Sequence, residues 1–451
     1  MPNQEEKSFH IVSLGCPKNL VDSEVMAGLL MRRGYRSTAD PREARIIIVN
    51  TCAFILPAKE EAIEAILTAA TYKKTSACRR LIVAGCLPQR HGAELARAIP
   101  EADLFIGTAE VPHIAEHLAG IATAEHNGPQ VSTGRPDFLM HAGHPRRLMT
   151  PSYTAYLKIA EGCKNRCSYC IIPALRGPAR SRAPEDIIAE ARKLARRGVR
   201  ELILIAQDTT AYGRDLPGRP SLAGLLLELA ALEKLVWIRL LYSHPAKITP
   251  ELIRTLNGNA KICPYLDMPI QHIDDEILGA MNRRGNGRRI RALLEKLRAE
   301  GPDIALRTSL IVGFPGETKK KFGDLMDFVR KARFDHLGVF PYYREEGTAA
   351  AALPARIPAA EKERRREVIM EIQADISGEL LRRRLDTVET VLIEGKSEQA
   401  DYPFVGRTRR QAPEIDGVTF VRGRGLRPGR FVSVRITAVA AYDLFGEVVD
   451  N

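Results

Sequence analysis

The chain has 451 residues, and its 67 Lys and Arg against 55 Asp and Glu give a formal net charge of +12. This length predicts two to four domains with buried cores. The polar, acidic start and the lack of an apolar run of about 18 residues indicate neither a signal peptide nor a membrane span. Eight cysteines are too few for a disulfide scaffold, so we expect a cytoplasmic protein. The excess positive charge is diffuse and is compatible with an anionic neighbour.

Residues 8–125 alternate between strand and helix patterns. Apolar strands are predicted at 9–14, 45–50 and 80–85, with helical periodicity at 19–31 and 57–72. Alternation of this kind, with strands that are apolar throughout, predicts a parallel sheet covered on both faces.

A cysteine follows each of these three strands: Cys16, Cys52 and Cys86. Parallel strands end at the same edge of a sheet, which is where open α/β sheets bind ligands. We therefore expect the three thiols to converge in space. The alternative is three small buried residues, because free cysteine often behaves as a small hydrophobe. Cys78 and Cys263 show no partner pattern and are interpreted as structural.

Residues 126–148 are rich in Gly, Pro and His and are interpreted as a linker. Residues 149–382 then repeat strand and helix six times. The candidate strands are 156–160, 201–206, 237–242, 265–270, 306–313 and 337–342. Six units favour a partial (βα)6 TIM-like barrel, although periodicity alone does not separate it from a flat doubly wound sheet.

The loop after the first barrel strand reads EGCKNRCSYC and holds Cys163, Cys167 and Cys170. Three thiolates can hold three irons of a four-iron cluster, which leaves the fourth iron open to a small molecule. The alternative is a structural zinc site, but zinc usually takes four N or S ligands and no fourth Cys or His lies nearby. The carboxyl ends of the strands are where barrel enzymes build their active sites.

Polar residues follow the other barrel strands. They are Gln207 and Asp208, Ser243 and His244, and Gln271 and His272. In the fifth unit, Gly313 and Gly316 permit close approach of the backbone to a ligand, although an ordinary strand-to-helix turn is the alternative. The two histidines are equally compatible with satisfied loop positions.

Residues 384–451 contain short alternating runs at 387–394, 417–422 and 430–449 and predict a small antiparallel β-barrel. This module holds nine Lys or Arg and nine Asp or Glu between Val388 and the end of the chain. A neutral module is not expected to bind RNA nonspecifically as its main role. Glu414 and Asp416, on a predicted exposed turn, are candidates for meeting a basic partner; the alternative is that they only solvate a loop.

The two cysteine sets, in this domain order, resemble the methylthiotransferase family of radical S-adenosylmethionine (radical SAM) enzymes over nearly the whole chain. The EGC start of the cysteine loop and its CIIPALRG continuation at 170–177 are also similar to that family. Four further segments resemble its branch that modifies a ribosomal protein: SLGCPKNLVDSE (13–24), AQDTTAYG (206–213), PYLDMPIQH (264–272) and APEIDG (412–417). Ser309 departs from the family pattern, since many radical SAM proteins carry Gly there.

The resemblance implies an N-terminal methylthiotransferase domain, a radical SAM core and a C-terminal TRAM domain. It also implies two [4Fe-4S] clusters, one on Cys163, Cys167 and Cys170 and one on Cys16, Cys52 and Cys86. S-adenosylmethionine is then expected on the open iron of the first cluster. The residues expected to contact it are Tyr169, Gln207, Ser243, Gly313 and Gly316; no catalytic side chain is assigned.

The activity that the resemblance implies is transfer of a methylthio group to the β-carbon of an aspartate in ribosomal protein uS12. The expected partners are uS12 or the small ribosomal subunit, an electron donor such as a flavodoxin or ferredoxin, and a sulfur donor. The nearest alternative is the same chemistry on an isopentenylated adenosine of tRNA. A non-catalytic iron–sulfur RNA-binding protein and a radical enzyme acting on a small metabolite are alternatives of other classes.

Overall fold

A computed structural model describes residues 7–123, 128–354 and 356–449. The predicted boundary between the first domain and the linker, at 125–126, lies outside these residues. No helix in the described ranges is long and apolar enough to cross a membrane.

The N-terminal unit is a six-stranded sheet with helices on both faces. Its elements are β1 (Ser8–Ser13), α1 (Pro17–Arg32), β2 (Arg36–Ser37), β3 (Ile46–Thr51), α2 (Leu56–Thr75), β4 (Arg80–Gly85), α3 (Cys86–Ala98), β5 (Leu104–Ile106), α4 (Ile114–Thr123) and β6 (Gln130–Ser132). All neighbouring strands are parallel, in the order β2-β1-β3-β4-β5-β6. The predicted parallel sheet is confirmed, and every residue of β3 is buried, as expected of a central strand covered on both faces.

Part of the predicted linker belongs to this sheet. β6 pairs with β5 in parallel, with Gln130 opposite Leu104, so the segment 126–148 is not wholly a connection. A three-residue strand at a sheet edge is too short to give a periodic signal, which is why the sequence did not indicate it. Further along the segment, the buried Arg146 pairs with Glu24 of α1 and Glu190 of the next unit, which fixes the segment between the two domains.

The second unit contains sixteen helices and strands in the described ranges. They are β7 (Thr154–Lys158), β8 (Ala160–Glu161), α5 (Ile172–Arg176), β9 (Arg180–Ser181), α6 (Pro184–Arg196), β10 (Glu201–Ile205), α7 (Leu222–Ala230), β11 (Trp237–Leu240), α8 (Pro250–Gly258), β12 (Tyr265–Asp267), α9 (Asp275–Ala280), α10 (Gly287–Glu300), β13 (Ala305–Val312), α11 (Lys319–Ala332), β14 (His336–Pro341) and α12 (Ala359–Arg382). The parallel sets β7-β10-β11 and β12-β13-β14 meet through a bridge between Ile238 and Ile262. This arrangement confirms the predicted partial barrel of six parallel strands.

The two faces of these strands differ in character. Outward residues such as Leu202 and Leu204 pack under the surrounding helices in an apolar core. Lys158 and Arg239 alternate with such residues and carry buried charges on the inner face. The inner face therefore holds buried charges beside apolar side chains such as Ile203 and Ile205, and each of these charges needs a partner.

The C-terminal unit is a closed five-stranded barrel. Its strands are β15 (Val388–Lys396), β16 (Phe404–Thr408), β17 (Thr419–Arg422), β18 (Phe431–Val439) and β19 (Leu444–Val448). Their order is β15-β16-β17-β19-β18. The prediction of a small barrel is confirmed, but the β17–β19 pair is parallel, so the barrel is not wholly antiparallel. The run predicted at 430–449 divides into β18 and β19, and β16 was not predicted.

The C-terminal barrel covers the amino-terminal ends of the six strands of the partial barrel in the second unit, hereafter the large barrel, opposite the cysteine loop. Glu201, the first residue of β10, accepts from Arg407 at 2.7 Å and from Arg239 at 3.1 Å. Trp237, the first residue of β11, packs edge-to-face on Phe431 with ring centroids 4.8 Å apart. This end of the large barrel is therefore closed by protein.

The predicted exposed turn at Glu414 and Asp416 is only half correct. Glu414 is exposed, but the carboxylate of Asp416 is 1% exposed. It accepts from the Tyr265 hydroxyl at 2.7 Å and pairs with Arg307 at 3.3 Å. Asp416 therefore joins the two barrels and does not present its charge to another protein. The short acidic motif looked exposed because Arg307, the cation that pairs with Asp416, lies far away in the sequence.

Candidate functional site

The cysteines of the N-terminal sheet converge as expected. Cys16, Cys52 and Cys86 follow the neighbouring strands β1, β3 and β4, and Cys16 caps the amino end of α1. Gly15 has φ of +84°, and a Cβ there would lie 2.6 Å from Cys52 Cβ, so only glycine lets these two loops approach. The three residues therefore form one cluster of free thiols.

The electrostatics of this first cysteine set favour a bound cationic group. Burial, with smaller contributions from the neighbouring Cys16 and Cys86, raises the pKa of Cys52 to about 12. Burial also opposes ionisation of Cys16, but Lys18 and Arg176 outweigh it and lower the pKa of that thiol. Iron binds the thiolate form, and a bound cationic metal centre compensates the mutual repulsion of clustered thiolates.

The second set lies in the loop after β8, which neighbouring segments hold in place. Ser168 Oγ donates to the Ala280 carbonyl at 2.7 Å, and Asn282 Nδ2 donates to the Arg166 carbonyl at 2.6 Å. Asn165 Nδ2 donates to Asp208 Oδ2 at 2.7 Å. A cavity of about 600 Å³ opens at this loop. Its lining includes Cys163, Asn165, Cys167, His244, Asn282 and Arg284.

The thiols of the second set are also close enough to influence one another's pKa. Burial raises the pKa of Cys170 to about 12, with smaller contributions from Cys167 and Cys163. Arg283 places a guanidinium nitrogen 3.8 Å from Cys167 Sγ and 3.3 Å from the Tyr169 hydroxyl. A buried cation is thus available to stabilise negative charge at this end of the loop.

A buried ionic network connects the two cysteine sets. Asp22 of α1 accepts from Lys158 of β7 and from Arg176 of α5, at 2.5 Å each. Glu161, two residues before Cys163, accepts from Lys158 at 2.7 Å. Burial opposes ionisation of Glu161, but Lys158 and Arg176 hold the pKa of its carboxyl at about 2, so it stays charged. All four side chains are at most 5% exposed.

Arg176 is the residue that reaches both sets. Its guanidinium donates to Asn19 Oδ1, and that oxygen also accepts from the Cys86 thiol at 3.8 Å. Leu175, the preceding residue, packs with Cys86 in the core of the N-terminal domain. The sequence reasoning missed Asp22 and Arg176 as site residues, although both lie in the quoted segments 13–24 and 170–177.

Tyr242 is a further site residue that the sequence did not indicate. It follows β11 with φ of +61°, a left-handed conformation that is unusual for a bulky side chain. Lys18 Nζ, two residues past Cys16, lies 3.3 Å from the centroid of its ring, a cation–π contact between the domains. Strained residues of this kind cluster at functional sites.

The polar residues predicted as ligand contacts have different surroundings. Gln207 donates through Nε2 to Glu161, while its buried Oε1 finds no partner among the described residues. Ser243 Oγ is likewise buried and unpaired within those ranges. Because native proteins leave few such atoms unsatisfied, these two are available to a bound polar molecule.

The predicted glycines and histidines differ from one another in their surroundings. Gly313 has φ of +74°, but the space beside it is filled by Lys362, whose Cγ would lie 2.3 Å from an added Cβ. Gly316 has φ of +88° and meets only Ile277 at 3.8 Å. His244 lines the cavity, and burial together with Arg283 lowers its pKa to about 3, so it is neutral. His272 is fully buried, 3.9 Å from Glu317, and lies away from that lining.

The donor sets fit iron–sulfur clusters. Each set has three free thiols in one place, with buried cations nearby. None of these cysteines forms a disulfide. Among the residues that the structure describes, no three or more His, Cys, Asp or Glu are arranged to hold a single metal ion. A four-iron cluster is larger than a single ion, and each of its cysteine ligands binds a different iron. Three thiols arranged around a cavity therefore fit such a cluster.

Three family models match the chain in succession. They are the "Uncharacterized protein family UPF0004" at 8–107, the "Radical SAM superfamily" at 157–329 and the "TRAM domain" at 387–449. Two solved structures share the fold. The radical S-adenosylmethionine methyltransferase TsrM from Kitasatospora setae has a TM-score of 0.57 at 15% identity, covering 76% of this chain and 77% of that one. The cobalamin-dependent radical enzyme OxsB has a TM-score of 0.51 at 12% identity, covering 82% and 57%.

Curated relatives match over the whole length. "Ribosomal protein uS12 methylthiotransferase RimO" of Syntrophus aciditrophicus is 59% identical, covering 99% of both chains. The protein of the same name from Geobacter sulfurreducens is 52% identical over the whole of both chains. The fold and the cysteine loop define a radical SAM enzyme that uses S-adenosylmethionine and [4Fe-4S] clusters. Within that class, the chain belongs to the RimO family of methylthiotransferases.

Proposed function

We propose that this enzyme adds a methylthio group to the β-carbon of an aspartate in ribosomal protein uS12. The full-length identity of 59% to a uS12 methylthiotransferase supports the substrate. The observation that carries the chemistry is the buried network of Asp22, Lys158, Glu161 and Arg176, which joins the helix that follows Cys16 to the segments on either side of the Cys163 loop.

In this proposal Cys163, Cys167 and Cys170 hold one cluster and Cys16, Cys52 and Cys86 hold the other. A cluster held by Cys163, Cys167 and Cys170 would supply the one-electron reduction of S-adenosylmethionine that is needed to take hydrogen from an unactivated carbon. Such a carbon has no accessible pKa, so side-chain bases cannot replace this chemistry. The first cysteine set, Cys16, Cys52 and Cys86, would hold the centre from which sulfur is delivered.

The protein's own residues position and enclose these groups. The C-terminal barrel closes one end of the large barrel, so solvent and substrate enter from the end that carries the cysteines. Gln207 Oε1 and Ser243 Oγ are available to orient the bound S-adenosylmethionine, and Tyr169 packs against the apolar cluster that contains Ile277 and Phe314. Turnover also requires an electron donor of the flavodoxin or ferredoxin class and a sulfur donor.

The test is to reconstitute the enzyme anaerobically and incubate it separately with uS12, with the small ribosomal subunit and with tRNA. We expect a mass increase of one methylthio group on uS12, alone or in the subunit. Modification of tRNA with uS12 left unchanged would overturn the substrate, while leaving the methylthiotransferase class in place.

A further inference from the structure

An apolar groove lies between α2 and α3 on the outer side of the N-terminal domain. Its volume is about 700 Å³. Its apolar lining is formed by Leu56, Ile63, Leu67, Leu87 and Leu95. Leu67 is 50% exposed and Leu56 is 46% exposed. Single exposed leucines are ordinary, but here two of them line one concave apolar surface, which is the shape that binding sites share.

The rim of this α2–α3 groove is acidic. Glu60, Glu64 and Glu94 border it, and Lys59 is the lysine in its lining. The Lys59 ammonium lies 2.7 Å from Glu345 of the large barrel, a carboxylate that also pairs with Arg90 at 2.9 Å, so Lys59 is directed away from the three glutamates. A chain with a net charge of +12 thus presents local negative charge around its apolar groove.

The groove also leads to the first cysteine set. Leu56 comes four residues after Cys52, and Leu87 directly follows Cys86 at the start of α3. A polypeptide bound along α2 and α3 therefore has one end next to the sulfur-delivering thiols. Proximity of docking site and reaction site limits how far the bound chain must reach.

We propose that the α2–α3 groove docks the protein substrate through an apolar side chain flanked by Lys or Arg. A ribosomal protein is basic because it contacts RNA phosphates, so the rim attracts it. The same carboxylates repel the phosphates of tRNA and the surface of an acidic electron carrier. This inference rests on the proposed uS12 substrate and assigns where that substrate binds.

The experiment compares Leu67→Asp and Glu64→Lys with the wild-type holoenzyme, using purified uS12 as the probe. The matched control is Leu227→Asp on α7 of the large barrel, since Leu227 is 49% exposed and lies outside the groove. We expect KM for uS12 to rise about tenfold or more in both groove variants, with kcat at saturation unchanged. Iron content and substrate-free cleavage of S-adenosylmethionine verify folding.

The outcomes separate the two proposals. If the wild type modifies uS12 and both groove variants keep its KM, the groove assignment is rejected while the substrate stands. If the wild type modifies only tRNA, both are rejected. The rise in KM caused by Glu64→Lys should depend on the salt concentration, whereas Leu227→Asp should show no such dependence. That result supports charge attraction at the rim.

Discussion

Lys18 of the N-terminal domain lies 3.3 Å from the centroid of the Tyr242 ring, which belongs to the large barrel. Lys18 comes two residues after Cys16, and the backbone of Tyr242 is in a left-handed conformation. The contact therefore joins the surroundings of the first cysteine set to the mouth of the barrel. Buried cation–π pairs contribute about 2 kcal/mol, enough to fix the relative position of the two domains at this point.

The first prediction concerns the barrel cysteines. Changing Cys163, Cys167 and Cys170 together to Ala should reduce the iron content from about eight to about four per chain, because one of two clusters loses its ligands. Iron and sulfide analysis after anaerobic reconstitution measures this. Cys78→Ala and Cys263→Ala are the controls and should keep all the iron. Full iron in the triple variant would remove the assignment.

The second prediction separates the roles of the two sets. With Cys16, Cys52 and Cys86 changed to Ala, reductive cleavage of S-adenosylmethionine should continue while methylthiolated product disappears. Radical formation needs only the cluster in the barrel, whereas product formation needs the sulfur-delivering set. Chromatography of 5′-deoxyadenosine and mass measurement of uS12 give the two readouts. Loss of cleavage with an intact barrel cluster would contradict separate functions.

The third prediction tests the network between the sets. Asp22→Asn removes the carboxylate shared by Lys158 and Arg176 and leaves buried positive charge without compensation. Removing one partner of such a pair costs about 3–5 kcal/mol of stability. We expect less methylthiolated product per 5′-deoxyadenosine formed. Glu116→Gln is the control, because its pair with Arg33 is exposed and contributes about 0–1 kcal/mol. An unchanged product ratio in Asp22→Asn would reject the coupling role.

The fourth prediction concerns the contact between the two barrels. Burial opposes ionisation of Glu201, but Arg407 and Arg239 lower its pKa to about 2. A lowered carboxyl pKa contributes stability that is complete above the unfolded value of about 4.3 and is lost as pH falls towards 2. The contribution is roughly 3 kcal/mol. Glu201→Gln should remove it at neutral pH.

Trp237 measures this effect, because it is the single tryptophan of the chain and packs on Phe431 at the contact. Urea unfolding followed by its fluorescence should show a lower midpoint for Glu201→Gln than for wild type at pH 7, with the difference shrinking as pH falls below about 4.3. Glu414→Gln, at an exposed position of the C-terminal barrel, is the control. Equal midpoints at pH 7 would contradict the assigned ion pairs.

Much of the architecture was determined by the sequence alone. The strands β1, β3, β4 and β13 were placed within one residue. Of these, β3 and β4 are buried along nearly their whole length and form apolar runs. Cys16, Cys52 and Cys86 were grouped because strand ends in a parallel sheet share an edge, and Cys163, Cys167 and Cys170 because they lie in one short loop. Periodicity did not detect β6 and β16, which are short and polar.

Only the tertiary structure decided where the charges lie. Asp416 looked exposed in the sequence, yet Arg307 and Tyr265 enclose it. Asp22 and Arg176, more than 150 residues apart, form one buried pair between the two cysteine sets. A charged side chain is buried only when a partner compensates its loss of hydration, and that partner lies elsewhere in the chain. Local pattern therefore predicts the strands and the thiols, while the pairing of distant charges depends on the folded structure.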